Sequence, residues 1–234
     1  MAPVTDFTPK PLLPFFNVEL LRLSVGQLAH VGVERIAINA RHLADQVEAY
    51  VLGDLARIFP DVAFHVSIEE DVLGTGGALV KLRPWLRPKS FWVLNSDAVF
   101  AQDLSRVAQV HAAAGNAATL LVTRAQEHAA LRFLKADPSG RLLERTPGAE
   151  ESGFSFCGVH LNEFQLLEHL PQDAESCVLR AGHLPWAASG ARVALYETQE
   201  FWADVGTPER YLDAHLRAHP SLDAWLPRAK QPPP

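Results

Sequence analysis

The chain has 234 residues, a formal net charge of −6 and a pI of about 5.9, so it lacks the basic excess with which duplex nucleic acid or an anionic membrane surface is bound. Hydrophobic residues make up 48 % and charged residues 21 %, the composition of a globular chain with a core to bury and not of a disordered one. No apolar run reaches the ~18 residues of a membrane span. The opening Met-Ala-Pro-Val-Thr-Asp has no basic segment followed by an apolar one, so no signal peptide is expected.

Short β-branched runs then alternate with helical patterns. Val33 to Asn39 reads as a strand. Leu43 to Ile58 reads as a helix, with Val47, Val51, Leu55 and Ile58 recurring at threes and fours. Val62 to Ile68 is a second strand, and Gly76 to Trp85 a helix stopped by Pro84 and Pro88. Phe91 to Asn95 is a continuous apolar run, as expected of a central strand buried on both faces. Leu104 to Ala114 reads as a helix and Ala118 to Thr123 as a strand. This alternation predicts an α/β layer architecture with a mostly parallel sheet.

The second half changes character. Leu131 to Lys135 and Arg141 to Glu144 flank the turn Asp137-Pro138-Ser139-Gly140 and predict a hairpin. Phe154 to Leu161 and Val193 to Thr198 read as further strands. Thr207-Pro208-Glu209 opens the last helix, with a capping hydroxyl, a proline at the first helical position and an acid in the first turn. One domain is expected over residues 1–226, followed by an unstructured Pro-rich tail at 227–234. Cys157 and Cys177 form no CxxC pair and no disulfide framework, and read as the reduced thiols of a cytoplasmic protein.

Four segments carry candidate chemistry. In Thr8-Pro9-Lys10-Pro11-Leu12 two prolines restrict the lysine backbone, so its ammonium is aimed at a phosphate with less ordering cost; an ordinary exposed loop lysine is the alternative. Gly74-Thr75-Gly76-Gly77 lies between a strand and a helix, where a ligand can approach the backbone and free N–H groups; a tight turn alone would also use these glycines. Asn95-Ser96-Asp97 follows the apolar run, at the strand end where α/β folds place ligands; a turn-capping aspartate is the plain reading. Trp202-Ala203-Asp204-Val205-Gly206-Thr207-Pro208 sets a second acid before a glycine and a capped helix, which is also an ordinary helix entry.

In this order the four segments resemble the sugar-1-phosphate nucleotidyltransferase family, over roughly residues 5 to 215. The stretch Val33 to Val47, with its Asn39-Ala40-Arg41-His42-Leu43-Ala44-Asp45-Gln46-Val47, is similar to the family as well, and the length resembles its short bacterial branch. That branch includes uridylyltransferases of N-acetylmuramate 1-phosphate and guanylyltransferases of mannose and heptose 1-phosphates. The resemblance implies a three-layer α/β/α, Rossmann-like nucleotide-diphospho-sugar transferase fold with a mixed, mostly parallel sheet. It implies a nucleoside triphosphate and a sugar 1-phosphate as substrates, with Lys10 on phosphate and Asp97 and Asp204 holding Mg²⁺. Gly74, Thr75, Gly76 and Gly77 would lie against the nucleotide base and Gly158 beside the sugar. A homo-oligomer or a partner subunit also fits the resemblance.

The chain departs from the family pattern at three places. Met1 to Asp6 falls where relatives read Leu-Arg-Pro-Leu-Thr-Asp, so the strand and glycine-rich Gly-Thr-Arg loop that precede it in relatives are expected to be missing. The expected consequences are weak turnover by residues 1–234 and a groove lined by Ile36, Ile38, Val93 and Leu94, open to a partner's strand. Ser96 stands in place of the usual glycine. Glu144-Arg145-Thr146-Pro147 stands where longer relatives have Glu-Glu-Lys-Pro. Two other readings stay open: a catalytically impaired regulatory or nucleotide-sugar-binding subunit, and a glycosyltransferase of related fold. The last would use an Asp-x-Asp, of which Asn95-Ser96-Asp97 keeps only the second acid.

Overall fold

The structure is a computed structural model that describes residues 1–124, 133–146, 153–172, 174–219, 222–229 and 231–232. Its contacts divide the chain into two units, Met1–Asp71 with Asn95–Leu104 and Glu200–Pro234, and Val72–Leu94 with Ser105–Gln199.

The first unit starts with two short 3₁₀ turns, Val4–Asp6 and Lys10–Leu12. A hairpin of β1 (Pro14–Phe15) and β2 (Val18–Glu19) follows. Both of its turn residues are left-handed, Phe16 at φ 48° and Asn17 at φ 60°. Asparagine tolerates that region and phenylalanine does not, so Phe16 needs support. The His215 ring lies 4.8 Å from the Phe16 ring, and Tyr211 Oη donates to the Pro14 carbonyl. Helix α1 (Leu20–His30) buries Leu20, Leu21, Leu23 and Val25, and its Gln27 amide donates to the Phe100 carbonyl at 3.0 Å.

Strands β3 (Arg35–Ala40) and β4 (Ala63–Ile68) pair in parallel, from Arg35 opposite Ala63 to Ala40 opposite Ile68. Between them α2 (Ala44–Tyr50) continues through a π turn at Val51–Leu55 to Ala56–Ile58. The π turn departs from the uniform helix expected over Leu43 to Ile58. Val47, Val51 and Leu55 are all buried at a strict spacing of four, which drifts off one face at 3.6 residues per turn; local widening keeps them in line.

Strands β6 (Ala98–Phe100) and β12 (Trp202–Asp204) form a short antiparallel ribbon. Helix α6 (Pro208–Ala218) follows, capped by the Thr207 hydroxyl, which accepts the Arg210 amide at 3.3 Å. Backbone hydrogen bonding at the helix start and the Thr207 side chain hold the exposed Glu209 carboxyl below its ordinary range. Helix α7 (Leu222–Ala229) covers the first three residues of the expected tail and brings Trp225 into a core with Leu13, Phe15, Leu20, Val99 and Ala203.

The second unit is built on a six-stranded sheet of β5 (Phe91–Leu94), β7 (Ala118–Thr123), β8 (Phe133–Ala136), β9 (Leu142–Thr146), β10 (Phe154–Asn162) and β11 (Val193–Glu197). The helices are α3 (Gly74–Lys81), α4 (Leu104–Ala114, whose first residue belongs to the first unit) and α5 (Leu184–Ala188). Strand β10 is the spine. It runs antiparallel to β7 along one edge, and on the other it pairs with β8 through Phe154 and Ser155 and with β5 through Val159 to Asn162. Its register against β7 breaks between Phe156 and His160, where Gly158 has a left-handed φ of 74°. The sheet is therefore mixed, and among the described residues of this unit only β11 with β7 is parallel. The alternating first half predicted a parallel majority; β10 overrides it by running against every strand it pairs with.

The β8–β9 hairpin forms as expected, with Asp137 Oδ1 accepting the Ser139 and Arg141 amides at 2.8 and 3.0 Å. Leu131, Arg132 and Pro147 of the predicted segments lie outside the described residues. Strand β5 corrects another expectation. Phe91 is buried, but Trp92, Val93 and Leu94 are only half-buried, because β5 pairs with β10 on one edge and has no strand on the other among the described residues. Among the described residues strand β3 likewise has β4 on one edge alone, with Ile36 and Ile38 buried. The four residues expected to line a groove thus fall into different units.

In the core of the second unit, Asn162 Oδ1 accepts from His160 Nδ1 at 2.9 Å and from His183 Nε2 at 2.8 Å. This fixes both ring tautomers and leaves His160 Nε2 and His183 Nδ1 without partners. Burial pushes His160 down to about 4 and His183 well below its ordinary value. Among the described residues no helix is long and apolar enough to cross a membrane.

Candidate active site

The ribbon of β6 and β12 brings the two predicted acids together. Asp204 sits opposite Ala98 in the antiparallel register, and one step further the Val205 amide donates to the Asp97 carbonyl at 2.9 Å. Asp97 is placed there by a tight turn, closed by the Ala98 amide on the Asn95 carbonyl at 3.1 Å. Lys10 comes from the 3₁₀ turn at Lys10–Leu12. Pro9 ahead of it is buried, and Pro11 falls at a position where its missing N–H costs nothing.

Lys10 Nζ donates to Asp97 Oδ2 at 2.8 Å. The side chains are 25 % and 37 % exposed, so a pair of this kind adds only about 0–1 kcal/mol to stability. Folding alone does not demand this arrangement. Asp204 is held at both oxygens: Oδ1 accepts the Gly206 amide at 2.6 Å and Oδ2 accepts Arg210 Nη1 at 3.2 Å. Gly206 closes the cluster. A Cβ there would lie 2.7 Å from Asp204 Oδ1 and 3.5 Å from Lys10 Nζ, so the lysine and the second acid border one point that only glycine leaves free. Lys10, Asp97 and Asp204 therefore form one cluster inside the first unit.

The donor set can be tested against a metal ion. The two acids offer hard oxygen donors, and one oxygen of Asp97 makes no hydrogen bond among the described residues. Among those residues no group of three or more His, Cys, Asp or Glu side chains is placed to hold a metal. Two carboxylates without nitrogen or sulfur suit Mg²⁺, which keeps waters and is bound by one or two carboxylates together with phosphate oxygens. They do not suit Zn²⁺, which takes nitrogen and sulfur ligands.

The remaining predicted residues lie in the second unit. Gly74 opens α3 at φ 65°, and a Cβ there would lie 2.5 Å from the Ser176 carbonyl oxygen. At Gly76 a Cβ would lie 2.3 Å from Ser176 Oγ, and the Gly76 amide donates to the Ser176 carbonyl at 2.8 Å. Gly77 faces the Ala174 carbonyl in the same way. The glycines let the 174–176 segment pack against the start of α3, while Thr75 is exposed. Gly158 occupies the register break of β10.

Two residues of the cluster were not anticipated. Gly206 stood in a motif already singled out, but its close approach depends on where Lys10 lies. Arg210 follows the Thr-Pro-Glu helix start, and its position at the third helical residue could have signalled a side chain turned back over the cap.

Known proteins resemble the chain over most of its length. The nucleotidyl transferase family profile matches residues 1–220. A mannose-1-phosphate guanylyltransferase of Mycobacterium tuberculosis is 26 % identical over 216 residues, covering 91 % of this chain and 59 % of the relative. The mannose-1-phosphate guanylyltransferase catalytic subunit beta of Xenopus tropicalis is 25 % identical over 238 residues, covering 97 % and 64 %. The chain thus spans about three fifths of the length of these curated relatives. Among solved structures, HddC of Yersinia pseudotuberculosis superposes with a TM-score of 0.73 at 21 % identity, covering 89 % of each chain. A UDP-glucose pyrophosphorylase superposes with a TM-score of 0.78 at 15 % identity, covering 94 % of this chain and 93 % of the other. These likenesses establish the fold, the Rossmann-like α/β fold of nucleotide-diphospho-sugar transferases. With a family profile matched over nearly its whole length, the chain belongs to the nucleotidyl transferase family.

Proposed function

We propose that the chain transfers a nucleoside monophosphate from a nucleoside triphosphate to a sugar 1-phosphate, giving a nucleoside diphosphate sugar and pyrophosphate. The observation that carries this reading is the convergence of Lys10, Asp97 and Asp204 on one point beside Gly206. A phosphate oxygen of the sugar 1-phosphate attacks the α-phosphorus, the bond from that phosphorus to the bridging oxygen breaks, and pyrophosphate leaves. Such a displacement needs positioning and charge neutralisation more than a protein nucleophile.

Lys10 is one positive charge for the phosphate chain, released from Asp97 when phosphate takes its place. Asp97 and Asp204 would hold Mg²⁺, whose charge, when bound, offsets that of the phosphates. Arg210 and the Gly206 amide fix the Asp204 carboxylate. Thr75 and the backbone of Gly74, Gly76 and Gly77 are assigned to the nucleotide base, and Gly158 to the sugar, in keeping with the resemblance. A cytoplasmic homo-oligomer or an assembly with a partner subunit belongs to the same proposal, since the Xenopus relative is named as a catalytic subunit.

One observation favours a second reading. The glycine turn at the start of α3 is packed against Ser176 and Ala174 and the Gly76 amide is engaged by Ser176, as suits a regulatory subunit without turnover. A pyrophosphate-release assay with Mg²⁺ separates the two. The panel is headed by GTP with mannose 1-phosphate, the pair suggested by the names of the relatives. Release that depends on both substrates is expected. Nucleotide-sugar binding without release from any pair would establish the second reading instead.

A further inference from the structure

A cavity of about 280 Å³ opens beside the cluster, wholly within the first unit. Lys10, Arg41, Asn39, His42, Thr5 and Gly206 are among the residues that line it, and among the described residues no carboxylate does. Among the described residues Arg41 makes no hydrogen bond or ion pair, and its side chain is exposed. An unengaged guanidinium and a lysine ammonium, the latter paired with Asp97 at 2.8 Å until an anion displaces that carboxylate, make an anion site.

The loop that carries Arg41 is held in an unusual shape. Leu43, two residues on, is left-handed at φ 51°, a conformation uncommon for a leucine. Two side chains pin the loop and the following helix to the N-terminal segment: His42 Nε2 bonds to the Thr5 carbonyl at 2.6 Å, and the Gln46 amide donates to the Phe7 carbonyl at 3.2 Å. Backbone strain of this kind persists where surrounding structure enforces it, and it gathers at ligand sites.

Size narrows the ligand. The cavity falls just below the ~300–1,000 Å³ of sites that enclose a whole drug-sized molecule, yet it is several times the ~30 Å³ share of one water. That suits a compact polyanion. We propose that this cavity receives the β- and γ-phosphates of the nucleoside triphosphate, and hence the departing pyrophosphate, with Arg41 as the second cation beside Lys10. The inference rests on the nucleotidyl-transfer reading and extends it to a residue outside the four motifs. Arg41 grips one end of the phosphate chain while Lys10 spans to the acid cluster, which aligns the leaving group away from the attacking oxygen.

The test measures binding of inorganic pyrophosphate and of orthophosphate to the 234-residue chain by calorimetry, for wild type, Arg41→Ala and Arg41→Lys. Pyrophosphate should bind at least about tenfold more tightly than orthophosphate. Arg41→Ala should weaken pyrophosphate about tenfold with an unchanged melting temperature, and Arg41→Lys should restore part of the loss. Equal affinity of Arg41→Ala and wild type for pyrophosphate overturns the proposal, as does orthophosphate binding as tightly as pyrophosphate. Turnover kinetics keep the two readings apart. Wild-type turnover with an unaltered nucleotide KM in Arg41→Ala removes the inference and leaves the proposed activity standing. Pyrophosphate binding through Arg41 with no turnover of any substrate pair removes the activity and leaves the cavity as an anion site.

Discussion

The Val205 amide donates to the Asp97 carbonyl at 2.9 Å, and this one backbone bond extends the β6–β12 ladder to the two acids. Residues more than a hundred positions apart in sequence become neighbours through it.

Asp97→Asn should lower pyrophosphate release at least about a hundredfold, equivalent to roughly 3 kcal/mol in the barrier. The melting temperature should hardly move, because a part-exposed pair such as Lys10 with Asp97 stabilises by about 1 kcal/mol or less. Steady-state kinetics beside thermal denaturation check both halves. Wild-type turnover in the variant would exclude Asp97 from the mechanism.

Gly206→Ala places a methyl 2.7 Å from Asp204 Oδ1, too close for either to stay. The carboxylate must swing away and lose the Gly206 amide at 2.6 Å. We expect a loss of about 1 kcal/mol in stability, the low end of overpacking costs, and a fall of about tenfold or more in kcat/KM. Unchanged kinetics would mean that Asp204 need not occupy its observed position.

Gly76→Ala acts in the second unit and through packing. Its Cβ would meet Ser176 Oγ at 2.3 Å and the Ser176 carbonyl oxygen at 3.0 Å. The hydroxyl can rotate away and the backbone cannot, so a destabilisation of about 1–3 kcal/mol is expected in urea unfolding. Adding Ser176→Ala to Gly76→Ala should recover only part of it, and full recovery would put the clash on the hydroxyl alone.

Acid should weaken the chain through His160 and His183. Both are buried and held neutral, so below about pH 6.5 the unfolded chain binds protons that the folded one refuses. Their contribution is fully present above that value and falls as pH drops, until His160 itself titrates at about 4. The loss from His160 is on the order of 3 kcal/mol across the window, with His183 adding in the same sense. Urea midpoints at pH 7.5 and 5 measure it. His160→Gln should narrow the difference between the two pH values by about 2 kcal/mol; an unchanged difference would place the acid sensitivity elsewhere.

The sequence carried the chemistry of the site further than its geometry. Lys10, Asp97 and Asp204 stand in motifs whose residue types suit phosphate and metal, and the cap at Thr207 follows from local rules. Their convergence depends on strands of only three residues, Ala98–Phe100 and Trp202–Asp204, too short to show a period. Arg210 looks like any helix arginine until Asp204 is seen beneath it. At Gly74 to Gly77 the need for glycine was visible but its partner was not, because Ser176 packs there from a hundred residues further on. The apolar run Phe91 to Leu94 promised burial on both faces. Burial depends on which strands lie alongside, and no local pattern encodes that.

The ribbon that joins the two acids is only three residue pairs long. Two strands of that length are marginal by themselves, and this pair depends on Val99, Ala203 and Val205 sitting in the core of the first unit. We expect local opening of the ribbon to separate Asp97 from Asp204 while β3, β4 and α1 stay folded, at a free energy below that of global unfolding. Heating should therefore abolish turnover some degrees before the circular dichroism of the helices changes. In hydrogen exchange the Val205 amide should lose its protection well ahead of the amides of α1.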